Sequence, residues 1–252
     1  MTNPSPMQTG RIALVTGASR GIGRSSALGL AKAGAQVIAC ARSKAGLEEL
    51  DDDIFAATGQ HATLIPFDIT DGDACDRLSA ALFERFGRID TFVHCAALLG
   101  TLSPVTHHEP KDFDKVVAVN LTASWRLIRA LEPLLRQSPA ARAVFLSSSA
   151  TVTRGRAFWG PYGATKAALE SLVRAWADEI EITNIRTAIV SPGAMRTRMR
   201  ASAYPGEDPM SLPHPDAFVP LLLDLADPGS EPPSYTVDFR DWQAAQSQQI
   251  AQ

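Results

Sequence analysis

Short runs of β-branched and aliphatic residues alternate along this chain with longer stretches whose apolar positions recur at helical spacing. "RIALV" (11–15), "AQVIAC" (35–40), "ATLIPFD" (62–68) and "IDTFVHCA" (89–96) read as the strands of the first half. Between them lie a Gly-rich turn opening a helix through about Ala33, the charged helix "KAGLEELDDDIFAA" and the helix "DACDRLSAALFERF". In the second half, "DFDKVVAVNLTASWRLIRALEPLL" predicts one long helix halted near "QSPAAR". "AVFLSSS" predicts a fifth strand, "WGPYGATKAALESL" (159–172) opens a fifth helix, and "IRTAIVSPG" (185–193) predicts a sixth strand. Strand and helix in regular alternation imply right-handed βαβ units. The expected fold is α/β, a doubly wound parallel sheet of about seven strands with helices on both faces.

The alternation loosens only beyond about Met195, in "RTRMRASAYPGEDPMSLPHP". That Pro- and Arg-rich stretch is too long for an ordinary connection, so residues 194–215 are expected to form a functional loop or lid. No composition break, internal repeat or low-complexity segment divides the chain. Residues 11–252 are expected to form one domain behind a flexible polar tail at 1–10.

Composition excludes more than it selects. Of 252 residues, 45% are hydrophobic and 20% charged, which suits a soluble globular chain able to bury a large core. A formal net charge of −3 gives no electrostatic reason to expect nucleic acid. Cys40, Cys75 and Cys95 form neither a disulfide framework nor a zinc signature and point to a reduced, cytoplasmic setting. His61, His94, His107, His108 and His214 show no ligand spacing, so no metal is expected. "MTNPSPMQTG" lacks the apolar core of a secretory signal, and no apolar run approaches the ~20 residues that cross a bilayer.

Chemistry first shows directly after the first strand. "LVTGASRGIGRSSALGLAKAG" places Gly17, Gly21 and Gly23 in a G-x-x-x-G-x-G spacing that opens a helix. Glycine lets the chain turn sharply and approach a pyrophosphate, while the helix N-terminus presents N–H groups and the positive end of its dipole. With a strand before and a helix after, this is a Rossmann-type dinucleotide turn. At the end of the second strand an acid would bond the ribose 2′-hydroxyl of NAD. This chain has "CARS" there, with Arg42, and Arg20 lies inside the glycine turn. Two guanidinium groups suit a 2′-phosphate, so NADP is expected over NAD; the alternative is two solvated surface arginines.

Tyr162 and Lys166 stand four apart at the start of the fifth helix and share one of its faces. Two readings of the pair stand side by side. Tyr is a useful general acid when a neighbouring cation lowers its pKa, and Lys166 is such a cation. Alternatively, Tyr162 caps an apolar face of Leu169, Leu172, Val173, Trp176 and Ile180, although that face requires neither Tyr nor Lys.

Taken in order, these motifs resemble the short-chain dehydrogenase/reductase family from about Arg11 to Thr197. The resemblance rests on "TGASRGIG" (16–23), Asp68 in "FDIT", Asn120 in "VNL", the Ser cluster ending the fifth strand, "YGATK" (162–166) and "SPGAMRT" (191–197). It implies that Tyr162 exchanges a proton with the substrate oxygen. Lys166 would hold the nicotinamide ribose and depress the Tyr162 pKa, and Asn120 would support a proton-relay water. It implies a cofactor site built from Gly17, Ser19, Arg20, Gly21, Ile22, Gly23, Arg42, Asp68, Ile69, Ala96, Asn120, Tyr162, Lys166, Pro192, Gly193 and Thr197. Asp68 would contact the adenine and Thr197 the nicotinamide side. The catalytic serine stays open: separation from the tyrosine selects Ser149, whereas alignment of the strand selects Ser148.

Two departures stand out. Cys95-Ala96-Ala97 replaces the family's Asn-Ala-Gly, and Cys95 is read as a buried small side chain rather than a reactive thiol. The ending "SYTVDFRDWQAAQ" lacks the family's glycine-rich terminus. The expected activity is hydride transfer between NADP(H) and a small-molecule carbonyl or alcohol. A non-catalytic dinucleotide-binding redox regulator is the alternative, and a sugar-nucleotide epimerase or dehydratase would need a longer C-terminal domain. The resemblance also implies a homodimer or homotetramer through helices at about 112–136 and 158–182.

Overall fold

In a computed structural model, which describes residues 7–233 and 236–250, the strands fall where the apolar runs place them. They are β1 Ile12–Thr16, β2 Gln36–Ala41, β3 Thr63–Pro66, β4 Thr91–His94, β5 Ala141–Leu146, β6 Ile185–Ser191 and β7 Val237–Asp238. All pair in parallel, in the order β3-β2-β1-β4-β5-β6-β7. The order reverses between β1 and β4, which opens a crevice at the carboxyl ends of the strands.

The helices are α1 Gly21–Lys32, α2 Lys44–Thr58, α3 Gly72–Phe86, α4 Pro110–Val117, α5 Ala123–Arg136, α6 Ser149–Val152, α7 Gly160–Glu179, α8 Arg198–Ala203, α9 Val219–Ala226 and α10 Phe239–Ile250. Period-two alternation divides the strands between two cores. Leu14, Ile38, Phe92, Phe145 and Ile189 face Leu78, Leu127, Leu131, Leu169 and Trp176 from α3, α5 and α7. Their neighbours Val15, Val37, Val93, Val144 and Val190 face Leu30, Leu47, Leu222 and Leu225 from α1, α2 and α9.

Two expectations are corrected. The tail is not frayed from Gln8 onward: Gln8 is fully buried, its Nε2 donates to Ala226 O (3.0 Å), and Arg11 Nε donates to its Oε1 (3.0 Å). Residues 1–6 lie outside the described residues. The single long helix is interrupted at Ala118–Thr122, where a π-turn sends the Ala123 N–H back five residues to Ala118 O. Such turns free local carbonyls and collect at functional sites. Asn120 sits inside this one, and the Ser124 hydroxyl takes up its carbonyl (2.9 Å).

Candidate active site

The glycine turn is packed against the loops after β4 and β6. A Cβ on Gly17 would lie 2.9 Å from Ala96 N, and one on Gly23 would lie 2.3 Å from Gly17 O. Gly21 adopts φ +56° and faces the Thr197 methyl, so Thr197 meets the glycine turn as well as the strand it follows. Thr197 Oγ1 caps α8 by accepting from Arg200 N (3.2 Å). Arg20, the N-cap of α1, places no side-chain cap on the helix, and no acid stands in its first turn. The first N–H groups of α1 are therefore left for an anion, and the glycine cradle admits one at close range. The residues present fit a dinucleotide pyrophosphate.

The other residues expected at the cofactor site are placed as follows. Ser19 abuts Gly46 at the start of α2, while Ile22 packs against one core and buried Ile69 belongs to the other. Arg42 is exposed and lies 3.9 Å from Asp68. Burial pushes the Asp68 carboxyl up, but hydrogen bonds from Thr70 N (2.9 Å) and Oγ1 (2.8 Å), with the charges of Arg42 and Lys115, hold it below its usual range. Pro192 and Gly193 follow β6, and Gly193, at φ +69°, faces Arg240 of α10.

Tyr162 and Lys166 are both buried on α7. Lys166 Nζ donates to Leu146 O at the end of β5 (2.7 Å) and stands 5.9 Å from the Tyr162 ring centroid. Burial raises the Tyr162 phenol to about 12, against a smaller downward pull from the Ser148 side chain. Loss of solvation sets the direction of this shift, and Lys166 is not among the groups that oppose it here, in contrast to the expected depression. Burial also lowers Lys166 to about 8, opposed by Cys95 and Glu170.

The two serines separate. Ser148 interacts with the Tyr162 phenol. Ser149 Oγ instead bonds Asp238 Oδ2 (2.7 Å) and Ser191 Oγ (3.0 Å), tying the start of α6 to the ends of β6 and β7. Asn120 is buried and fully engaged: its Oδ1 accepts from Leu98 N (2.7 Å), and its Nδ2 donates to Leu98 O (2.9 Å) and Thr165 Oγ1 (3.1 Å). It pins the loop after β4 to α7. Cys95 packs beside Gly23, and burial raises its thiol to about 12, opposed by Ser26 and Lys166, so it stays protonated at neutral pH.

Two buried polar side chains complete the setting and were not singled out from the sequence. His94 bridges Thr16 Oγ1 and Ser124 Oγ, 2.9 Å each. Ser124 gives its proton to Asn120 O, so it accepts from His94 Nε2–H, and Nδ1 accepts from Thr16. Burial and the Lys166 charge hold His94 down to about 3, and the ring is neutral. Glu170, one turn beyond Lys166, accepts from Ser147 Oγ (2.5 Å), Arg174 Nη2 (2.6 Å) and Thr236 Oγ1 (2.9 Å). Its signal in the sequence is a carboxylate on the buried stripe of α7. Among the described residues no group of three or more His, Cys, Asp or Glu side chains could hold a metal ion, and no helix is long and apolar enough to cross a membrane.

Comparison with known proteins agrees with this arrangement. The family model for short chain dehydrogenase matches residues 11–208. The uncharacterized oxidoreductase YciK of Escherichia coli (strain K12) is 39% identical over 215 residues, spanning 84% of each chain. A short chain dehydrogenase structure from Salmonella enterica serovar Typhi superposes with a TM-score of 0.90 at 35% identity, covering 94% of this chain and 99% of that one. A short chain dehydrogenase from Escherichia coli CFT073, solved with NADPH, gives 0.88 at 36% identity over 94% and 99%. Matched by that family model over more than half its length and by these relatives at 35–39% identity, the chain belongs to the short-chain dehydrogenase family.

Proposed function

We propose that this chain is an NADP-dependent carbonyl reductase or alcohol dehydrogenase in which Tyr162 is the general acid and base. The observation that carries this reading is the convergence of Ser148, Tyr162 and Lys166 at the carboxyl end of β5, beside the uncapped turn of α1. The nicotinamide, when bound, supplies or accepts the hydride. Ser148 and the Tyr162 hydroxyl hold the substrate oxygen, and Tyr162 delivers its proton to that oxygen during reduction. Lys166 sits where it can grip a ribose hydroxyl on one side and act on the phenol on the other. Asn120 keeps α7 and the loop after β4 in register, and residues 194–215 close over the substrate. Ser149 belongs to the scaffold, holding the strand end that presents Ser148.

Arg42 and Arg20 select NADP. Among the described residues Arg42 makes a loose, solvated ion pair with Asp68, which a 2′-phosphate replaces at little cost. Fluorescence titration is expected to show NADPH binding at least ~10-fold more tightly than NADH, with the difference collapsing in Arg42→Ala. Tighter binding of NADH by the wild type would sink the assignment, and NADPH consumption across a panel of aldehydes and ketones tests the reaction.

A homo-oligomer belongs to the same reading. Phe113 on α4 and Trp125 on α5 are 43% and 46% exposed, on helices that otherwise bury Val116, Leu127 and Leu131. Pairing through residues 112–136 and 158–182 would cover them. Light scattering at micromolar concentration is expected to give a dimer or tetramer; a monomer peak contradicts it.

A further inference from the structure

Aromatic rings and guanidinium groups are layered beside Tyr162. Trp159 stands edge-on to Tyr162 with ring centroids 5.7 Å apart, and Tyr204, beyond α8, lies 6.1 Å from Trp159. Arg200 covers the Tyr204 ring at 3.7 Å, while Arg156 lies over both Tyr204 (5.2 Å) and Trp159 (5.5 Å). The two arginines differ in one respect. Arg200 donates from Nε and Nη2 to the Glu207 carboxylate, both at 2.6 Å, so its charge is matched. Arg156 has no carboxylate partner among the described residues; it is exposed, and aromatic contacts alone orient it.

The surroundings reinforce the surplus. Residues 153–159 and 194–215 contain Arg154, Arg156, Arg196, Arg198 and Arg200 against two acids, Glu207 and Asp208, in a chain of net charge −3. A local cationic excess at a cleft draws anions from solution. The loop carrying Arg156 is itself fixed, since Trp159 N donates to Arg156 O (3.1 Å) and Ser103 N to Phe158 O (3.2 Å). A guanidinium stacked on aromatic faces is pre-organised and loses little freedom on meeting an oxyanion.

We propose that the substrate is a carbonyl compound bearing a carboxylate, with Arg156 holding that carboxylate while Tyr162 and Ser148 hold the carbonyl. The assignment rests on the reductase reading above and names its substrate class. One unmatched guanidinium in the stack suits one negative charge, and the Trp159 and Tyr204 rings offer flat apolar surface to the body of the molecule.

The test compares 4-carboxybenzaldehyde with its neutral methyl ester, titrated calorimetrically into the NADPH-saturated Tyr162→Phe protein so that binding is read without turnover. The acid is expected to bind at least ~10-fold more tightly than the ester, as a charge-assisted contact predicts, and Arg156→Gln should bring the ratio to about one. Equal or weaker binding of the acid, or a preference that survives Arg156→Gln, overturns the proposal. Turnover is measured separately in the wild type. Arg156-dependent binding of the acid with no NADPH oxidation would leave the carboxylate site standing and contradict the reductase reading instead.

Discussion

Tyr162→Phe is expected to lower kcat for carbonyl reduction by about 10³-fold while leaving NADPH affinity within a few-fold of the wild type. The substitution removes one hydroxyl from a buried ring, and the neighbouring Trp159 and the apolar face of α7 keep the ring in place. Lys166 stays bonded to Leu146 O, so the cofactor end loses nothing. What is lost is the proton donor, and Ser148 has none acidic enough to replace it. A Phe variant that retains full activity on a reduced aldehyde would refute the acid assignment.

The same residue has a signature in stability that needs no substrate. Tyr162 is held at about 12 against an ordinary 10.0. Between roughly pH 10 and pH 12 the unfolded chain releases this proton while the folded chain keeps it, so stability falls as pH rises through that window. Lys166 has the opposite sign. At about 8 against 10.5, it loses its proton in the folded chain first, and stability rises between those values. Melting curves should therefore show the Phe variant holding its stability above pH 10 relative to the wild type, with the rise above pH 8 unchanged. Parallel curves throughout would mean that the phenol is not protected by burial.

Those two pKa directions mark the boundary of what was legible in the sequence. Spacing along the chain placed the six long strands, the glycine turn and the Tyr162–Lys166 pair, because each depends on residues close together in sequence. The sense of the pKa shift depends on burial, which here outweighs the Ser148 side chain and has no local signature. The proposed preference for Ser148 over Ser149 rests on partners of Ser149 that lie 42 and 89 residues away, Ser191 and Asp238. The π-turn was hidden because Val116, Leu127 and Leu131 keep a helical period on either side of it. Gln8 looked like part of a polar tail, since nothing near it announces that its amide meets Ala226 across 218 residues. His94 was missed for the same reason, its partners Thr16 and Ser124 lying on another strand and a helix, and so was Glu170, which meets Ser147 and Thr236 far along the chain besides Arg174 on its own helix.

Gly23→Ala tests the cofactor end as Tyr162→Phe tests the chemical end. The added Cβ would stand 2.3 Å from Gly17 O and 2.8 Å from Gly17 C, against backbone that no side-chain rotation can relieve. The turn and the start of α1 must separate, at a cost of about 1–3 kcal/mol in stability. The N–H groups of the α1 start then lose their aim at the pyrophosphate. Losing two charge-assisted hydrogen bonds, each worth about tenfold, predicts NADPH binding at least ~100-fold weaker. Gly10→Ala is the matched control: Gly10 also has positive φ, at +72°, but nothing lies within 4 Å of its Cβ position. It carries only the left-handed backbone cost of about 1–2 kcal/mol, and its NADPH affinity should stay unchanged. If Gly23→Ala and Gly10→Ala melt alike and bind NADPH alike, the close approach of the α1 turn is not what shapes the cofactor site.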